Sequence, residues 1–209
     1  MADKFLSGII YDGGIEKNSY LNSLPVIKYL SNKKRMDFSS DVTFFVGENG
    51  TGKSTLIEAI AVAFGFNPEG GSKNFTFSTN KTHSELWEHI TLIKKAYAKD
   101  GFFLRAESLY NVATHIEKMD ESPSFEPPVI ESYGGVSLHK QSHGESFLSI
   151  VQNRLGGKGL YIFDEPEAGI DLWSFSMLVE SFKAMSSGSH KSVIIISHQE
   201  RIMQLADKM

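Results

Sequence analysis

The 209-residue sequence predicts an α/β fold, a mainly parallel sheet flanked by helices. Three observations predict it. Short apolar runs suited to buried strands alternate with longer helix-like stretches, the order that builds a sheet covered on both faces. A glycine-rich turn near residue 50 joins such a run to a helix-like stretch. No sustained heptads and no repeat of fixed period interrupt the alternation, so a coiled coil or solenoid is not expected.

Taken in order, the strand-like runs are Phe5–Ile10, Val42–Val46, Phe102–Leu104, Leu160–Phe163 and Val193–Ile196. Each is short, apolar and rich in β-branched or aromatic residues. The helix-like stretches are Lys53–Phe64, Ser84–Ala98, Ser108–Lys118, Glu145–Leu155, Asp171–Met185 and Gln199–Lys208. Loops are expected at Asn67–Asn80, glycine-rich and polar, and at Asp120–Gly135, which holds three of the six prolines. Neither reads as a linker, so one domain over 1–209 is expected. Its core would take in about 1–66 and 156–209, with a helical region inserted over about 67–155.

Composition narrows the function classes. Hydrophobic residues make up 41% and charged residues 22%, as in a soluble globular protein. The formal net charge of -4 advertises no broad field for nucleic acid. The basic cluster Lys33-Lys34-Arg35 reads as a solvated loop. With no cysteine there are no disulfides and no thiolate sites, which fits a cytoplasmic chain. No apolar run reaches the ~20 residues of a membrane span, and the N-terminus lacks the basic start and apolar core of a signal peptide.

The strongest motif is "GENGTGKST", Gly47 to Thr55. Its G-x-x-x-x-G-K-[ST] spacing follows an apolar run and opens a helix-like stretch, the context of a phosphate loop. Backbone N–H groups of Asn49, Gly50, Thr51, Gly52 and Thr55 can turn towards phosphate oxygens, and the helix N-terminus adds partial positive charge. Lys53 would reach the β- and γ-phosphates, and the Ser54 hydroxyl would bind Mg²⁺. In "GLYIFDEPEAGID" an apolar run ends in two carboxylates. Asp164 would join Ser54 in the Mg²⁺ shell. Glu165 would point elsewhere and orient or deprotonate a water. "SVIIISHQE" places His198 at another strand end, where it can donate to a γ-phosphate.

The stretch "QSHGESFL", Gln141 to Leu148, carries Ser142 and Glu145 at capping-box spacing. Taken with the phosphate loop, the Asp-Glu pair and the Ser-His pair, its order and spacing resemble the ATP-binding-cassette (ABC) ATPases, a type of P-loop NTPase. The resemblance makes Ser142-His143-Gly144-Glu145 the signature, with His143 where the first glycine of the usual pattern stands. It implies that Ser142 and Gly144 contact ATP held by an opposite protomer, at a helix start left open for an anion. It also implies ATP and Mg²⁺ as ligands, ATP hydrolysis, and head-to-tail pairing of two copies. More closely, "FFVGENGTGKSTLIEAIAVAFGFNPEGGSKNF", "FFLRAESLYNVATHIEKMD" and "SYGGVSLHKQSHGESFL" are similar to small stand-alone bacterial cassettes labelled AAA family ATPases, relatives of RecF and SMC heads. That match runs from about Phe5 to Asp164. Beyond it, Gly169-Ile170-Asp171 resembles transporter or SufC-like cassettes, with Asp171 as the D-loop aspartate. The chain ends at "LADKM", where cassettes continue into another strand; a C-terminal truncation, a divergent chain or a recombined one would each account for these departures.

Three other functions fit the sequence less well, one of them a nucleotide-binding structural module without turnover, in which Glu165 as a base would serve no purpose. The ATPase subunit of a membrane transporter carries a glutamine midway between P-loop and signature, and here the glutamines are Gln141, Gln152, Gln199 and Gln204. A DNA-repair or SMC-like head inserts a long coiled coil that this interval cannot hold. A DNA or membrane partner is therefore possible but not indicated. His139 and His143 lack a third metal ligand, and Tyr11, Tyr20, Trp87 and Trp173 read as core, surface or packing residues.

Overall fold

The computed structural model describes residues 4–73, 83–121, 125–186 and 191–203. Parts of the expected loops 67–80 and 120–135, and the end of the expected helix 199–208, lie outside these.

Four parallel strands form the central sheet, in the order β3 (Val42–Phe45), β7 (Lys191–Ile196), β6 (Gly159–Asp164) and β5 (Asp100–Arg105). Side chains alternate between its faces, and both faces are buried. Phe102, Leu104, Tyr161, Phe163, Val193 and Ile195 pack into one core with α3 (Leu109–Asp120), α4 (His143–Arg154) and α5 (Leu172–Ser186). Phe103, Leu160, Ile162, Ile194 and Ile196 pack into a second core with α2 (Lys53–Phe64). α2 buries Leu56, Ile57, Ala59, Ile60 and Ala61, as befits a helix apolar nearly all round.

The sequence expectation differs from the structure at three places. β1 (Leu6–Tyr11) does not join the parallel sheet; it pairs antiparallel with β2 (Arg35–Asp37) and β4 (Ile90–Lys94) in a separate three-stranded sheet. Residues 84–98 are not a helix. A 3-10 turn at Glu85–His89 leads into β4, whose "ITLIK" is rich in β-branched residues, so pairing with β1 overrides the helical reading. Lys33-Lys34-Arg35 is not a loop; it closes α1 (Pro25–Lys33) and opens β2, with Lys34 as the left-handed C-cap donating to the Leu30 carbonyl. Pro25 at the first turn was the available sign of α1. A short α6 (Glu200–Met203) follows β7.

Trp87 packs against the second core as expected, but Trp173 is 79% exposed and does not. Tyr11 is buried and Tyr20 exposed. Among the described residues no helix is long and apolar enough to cross a membrane.

Candidate functional site

All four parallel strands end on one edge of the sheet, and each end carries polar side chains. β3 runs into the phosphate loop, β7 into Ser197-His198, β6 into Asp164-Glu165, and β5 into Arg105-Ala106-Glu107. Ligands in open α/β sheets bind in the crevice beyond such carboxyl ends. Here a cleft of roughly 610 Å³ is lined by Ser54, Arg105, Glu107, His143, Asp164 and Glu165, among others.

The phosphate loop is exposed at Asn49 and Gly50, and it is shaped by glycines. Gly50 and Gly52 have φ of 80° and 92°, the left-handed region. At Gly52 a side chain is also excluded by contact, because an added Cβ would lie 2.6 Å from Val26 Cγ1. The Thr51 carbonyl accepts from the Val26 N–H at 3.1 Å, so α1 braces the loop. Gly52 is the N-cap of α2 and supplies no side-chain acceptor, so no side chain caps the first N–H groups of the helix, around Ser54 and Thr55. Lys53 Nζ donates to the Gly47 and Glu48 carbonyls at 2.8 and 2.9 Å, which holds the ammonium over the loop.

Asp164 closes β6 and is 5% exposed. Ser54 Oγ donates to its Oδ1 at 3.0 Å. Arg105, paired with Asp164 in the strand register, brings Nε within 3.5 Å of Oδ2. Burial pushes the Asp164 pKa up to about 6, against the pull of Arg105 and Ser54 and helped by the nearby Glu165. A half-buried hydroxyl and a buried carboxylate side by side form a hard oxygen donor set, so Ser54 and Asp164 fit Mg²⁺.

Glu165 follows with φ of 50°, uncommon for a residue with a Cβ. Its Oε1 lies 3.4 Å from His198 Nε2.

The signature region is built differently from the sequence expectation. Ser142 caps α4 in a full capping box: its Oγ accepts from the Glu145 N–H at 3.3 Å, and its own N–H and O–H donate to Glu145 Oε2 at 2.8 and 2.7 Å. Those hydrogen bonds hold the Glu145 carboxyl below its usual pKa. The helix start is thus not left open; an incoming phosphate would have to displace Glu145. Gly144 is buried, and an added Cβ would meet Ser174 and Asp171 at 3.3 and 3.4 Å. Asp171 itself caps α5. It accepts from the N–H groups of Trp173 and Ser174 at 2.9 and 3.0 Å and from Ser174 Oγ at 2.7 Å, which lowers its pKa. The His143 ring lies beside Gly169 in the wall of the cleft. No group of three metal-ligating side chains occurs among the described residues.

Three participants escaped the sequence reading. Arg105 pairs with Glu58 at 2.8 Å and with Glu107, besides Asp164. The hint was Glu58 itself, a charge inside the apolar helix run "LIEAIAVAF", which demands a buried partner. Glu167 is the third. Its Oε1 accepts from Ser197 Oγ at 2.7 Å and from the His198 N–H at 2.8 Å.

Comparison with known proteins agrees with this fold. A family model for an AAA domain matches residues 25–121, just under half of the chain. A search of curated sequences finds no match. Among solved structures, cbiO1 from Clostridium perfringens, part of the ABC transporter complex cbiONQ, aligns with a TM-score of 0.53 at 16% identity, covering 98% of this chain and 83% of that one. The chain has the fold of an ABC-type ATPase. A second cassette neighbour, from an inward-facing metal-chelate type ABC transporter, aligns at 0.51 and 13% identity over 96% of this chain and 76% of that one. The AAA-domain match and the cassette neighbours together match the small ABC-type ATPases that the sequence resembles.

Proposed function

We propose that the chain, one cassette domain over 1–209 whose inserted helical part lies within 67–155, binds ATP with Mg²⁺ and hydrolyses it. Two copies pair head to tail in the ATP-bound state. The observation that carries this reading is the convergence at one sheet edge of the phosphate loop, the Ser54–Asp164 pair and the Glu165–His198 pair. Asn49, Gly50, Thr51, Gly52 and Thr55 cradle the phosphates through backbone N–H groups. Lys53 leaves the Gly47 and Glu48 carbonyls for the β- and γ-phosphates. Ser54 and Asp164 would hold Mg²⁺, which would supply positive charge against the developing negative charge on the phosphates. Glu165 takes a proton from water as its oxygen bonds to the γ-phosphorus. The bond to the β–γ bridging oxygen breaks, and ADP leaves. His198 donates to a γ-phosphate oxygen and steadies Glu165. Ser142, Gly144 and Asp171 contribute from the second copy, after Glu145 has swung away from the helix start.

Glu165→Gln tests the reading. It keeps the shape of the side chain and removes the base. Turnover should fall at least about 100-fold. ATP affinity by calorimetry should stay as in the parent. Unchanged phosphate release would remove Glu165 from its role.

A further inference from the structure

The chain after β6 makes a tight turn, with the Ala168 N–H donating to the Glu165 carbonyl at 3.0 Å and the Ile170 N–H to the Glu167 carbonyl at 3.2 Å. Two carboxylates of this turn reach across to the end of β7. Glu165 Oε1 meets the ring of His198 at Nε2, 3.4 Å away. Glu167 Oε1 takes the other end of the same residue, accepting from its backbone N–H at 2.8 Å, and from Ser197 Oγ at 2.7 Å. Ser197 is 1% exposed, and its Oγ accepts from the Gln199 N–H at 3.0 Å, so the whole Ser197–Gln199 bend is tied to one carboxylate oxygen. The other oxygen, Oε2, is buried and has no hydrogen-bond partner. Surrendering the hydration of a carboxylate oxygen is costly, and it persists only where the remaining bonds hold the group in place.

We propose that Glu167 is a positioning residue for His198. It clasps the backbone of the bend after β7, so the turn that carries the base also fixes where the imidazole stands. The proposal rests on the catalytic reading of Glu165 and His198, and it assigns to Glu167 no contact with nucleotide. The clasp needs an acceptor at Oε1 and no charge. Glu167→Gln should therefore preserve it, because an amide oxygen can accept both bonds. Glu167→Met, of similar size, should not, because it leaves the His198 N–H and the Ser197 hydroxyl without a partner.

Hydrogen exchange at the His198 amide, followed by NMR on the nucleotide-free protein, reads the clasp without any turnover. Exchange should be slow in the parent and in Glu167→Gln, and about tenfold or more faster in Glu167→Met. Ser197→Ala, which removes one donor to Glu167 and the acceptor of the Gln199 N–H but leaves the His198 N–H bonded, should give a smaller acceleration. Turnover should split in the same way. Glu167→Met should lose about tenfold in kcat with ATP affinity unchanged, and should add nothing further in a His198→Ala background. Unchanged exchange in Glu167→Met and Ser197→Ala overturns the clasp. Equal impairment of the Gln and Met variants overturns it as well, because charge would then be what matters. Faster exchange with unchanged turnover in both Glu167→Met and His198→Ala supports the clasp and overturns the catalytic reading of His198 instead.

Discussion

Asp164 has to be an anion to hold a divalent cation, yet β6 buries it among apolar strands at 5% exposure. Arg105 and the Ser54 hydroxyl recover part of that cost, and the rest is visible as a pKa of about 6 against an ordinary 3.8. The sign follows from the direction. A carboxyl whose folded pKa is raised binds its proton more tightly in the folded state, so its contribution is fully present below about pH 4 and is lost as pH rises through about 6. Two units correspond to about 3 kcal/mol at most, so Asp164→Asn should stabilise the metal-free protein by about 1–3 kcal/mol at pH 8. Urea denaturation in the presence of a chelator should show this gain shrinking towards pH 4. The same variant should lose the stabilisation that Mg²⁺ and ATP give the parent. A variant less stable than the parent at pH 8 would mean that the ionised carboxylate is fully compensated by Arg105. None of this was legible in the sequence. The Asp-Glu pair is visible, but Arg105 stands far from it in the chain and joins it only through the strand register.

At the scale of elements, legibility followed how local each signal is. α2 was read at its true bounds, because both its glycine caps and its apolar run lie within the stretch itself. β5, β6 and β7 were found within a residue or two from their apolar runs alone. β4 was lost to a helix, since only its partner β1 makes it a strand. The capping box at Ser142 was read correctly, but its consequence was not: the reciprocal Glu145 bonds that define the box also fill the helix start. The phosphate loop is the element where local and tertiary demands coincide. Gly52 needs a left-handed φ, and its missing side chain leaves room for Val26 and Leu24 of the preceding segment. Gly52→Ala meets both demands badly. It should destabilise the fold by about 1–3 kcal/mol. It should also weaken ATP binding measurably, because the loop must move away from α1. An unchanged denaturation midpoint together with unchanged ATP affinity would show that neither the φ nor the Val26 contact constrains the loop.

For the whole molecule, the question is whether one chain holds a complete site. The Ser142 end of α4 belongs to the helical layer, and within one chain its polar groups are spent on Glu145 and its glycine on α5. In the proposed pairing those groups serve the ATP of the other copy, so each site is built from two chains. Two variants separate the halves. Lys53→Ala removes the charge over the phosphates of its own site and leaves its α4 intact. Ser142→Arg leaves its own phosphate loop intact and puts a bulky cation where the partner's phosphate must approach. Each alone should be inactive, and Ser142→Arg should still bind ATP as a monomer. Mixed in equal amounts, half of the random pairs join the two variants, and each such pair has one site with a sound phosphate loop facing a sound signature. About a quarter of the parental activity should return if a single competent site can turn over. Co-purification of the two variants through different affinity tags establishes that mixed pairs form. If they form and no activity returns, Ser142 is a helix cap within its own chain and nothing more, and the Glu145 carboxylate never leaves it.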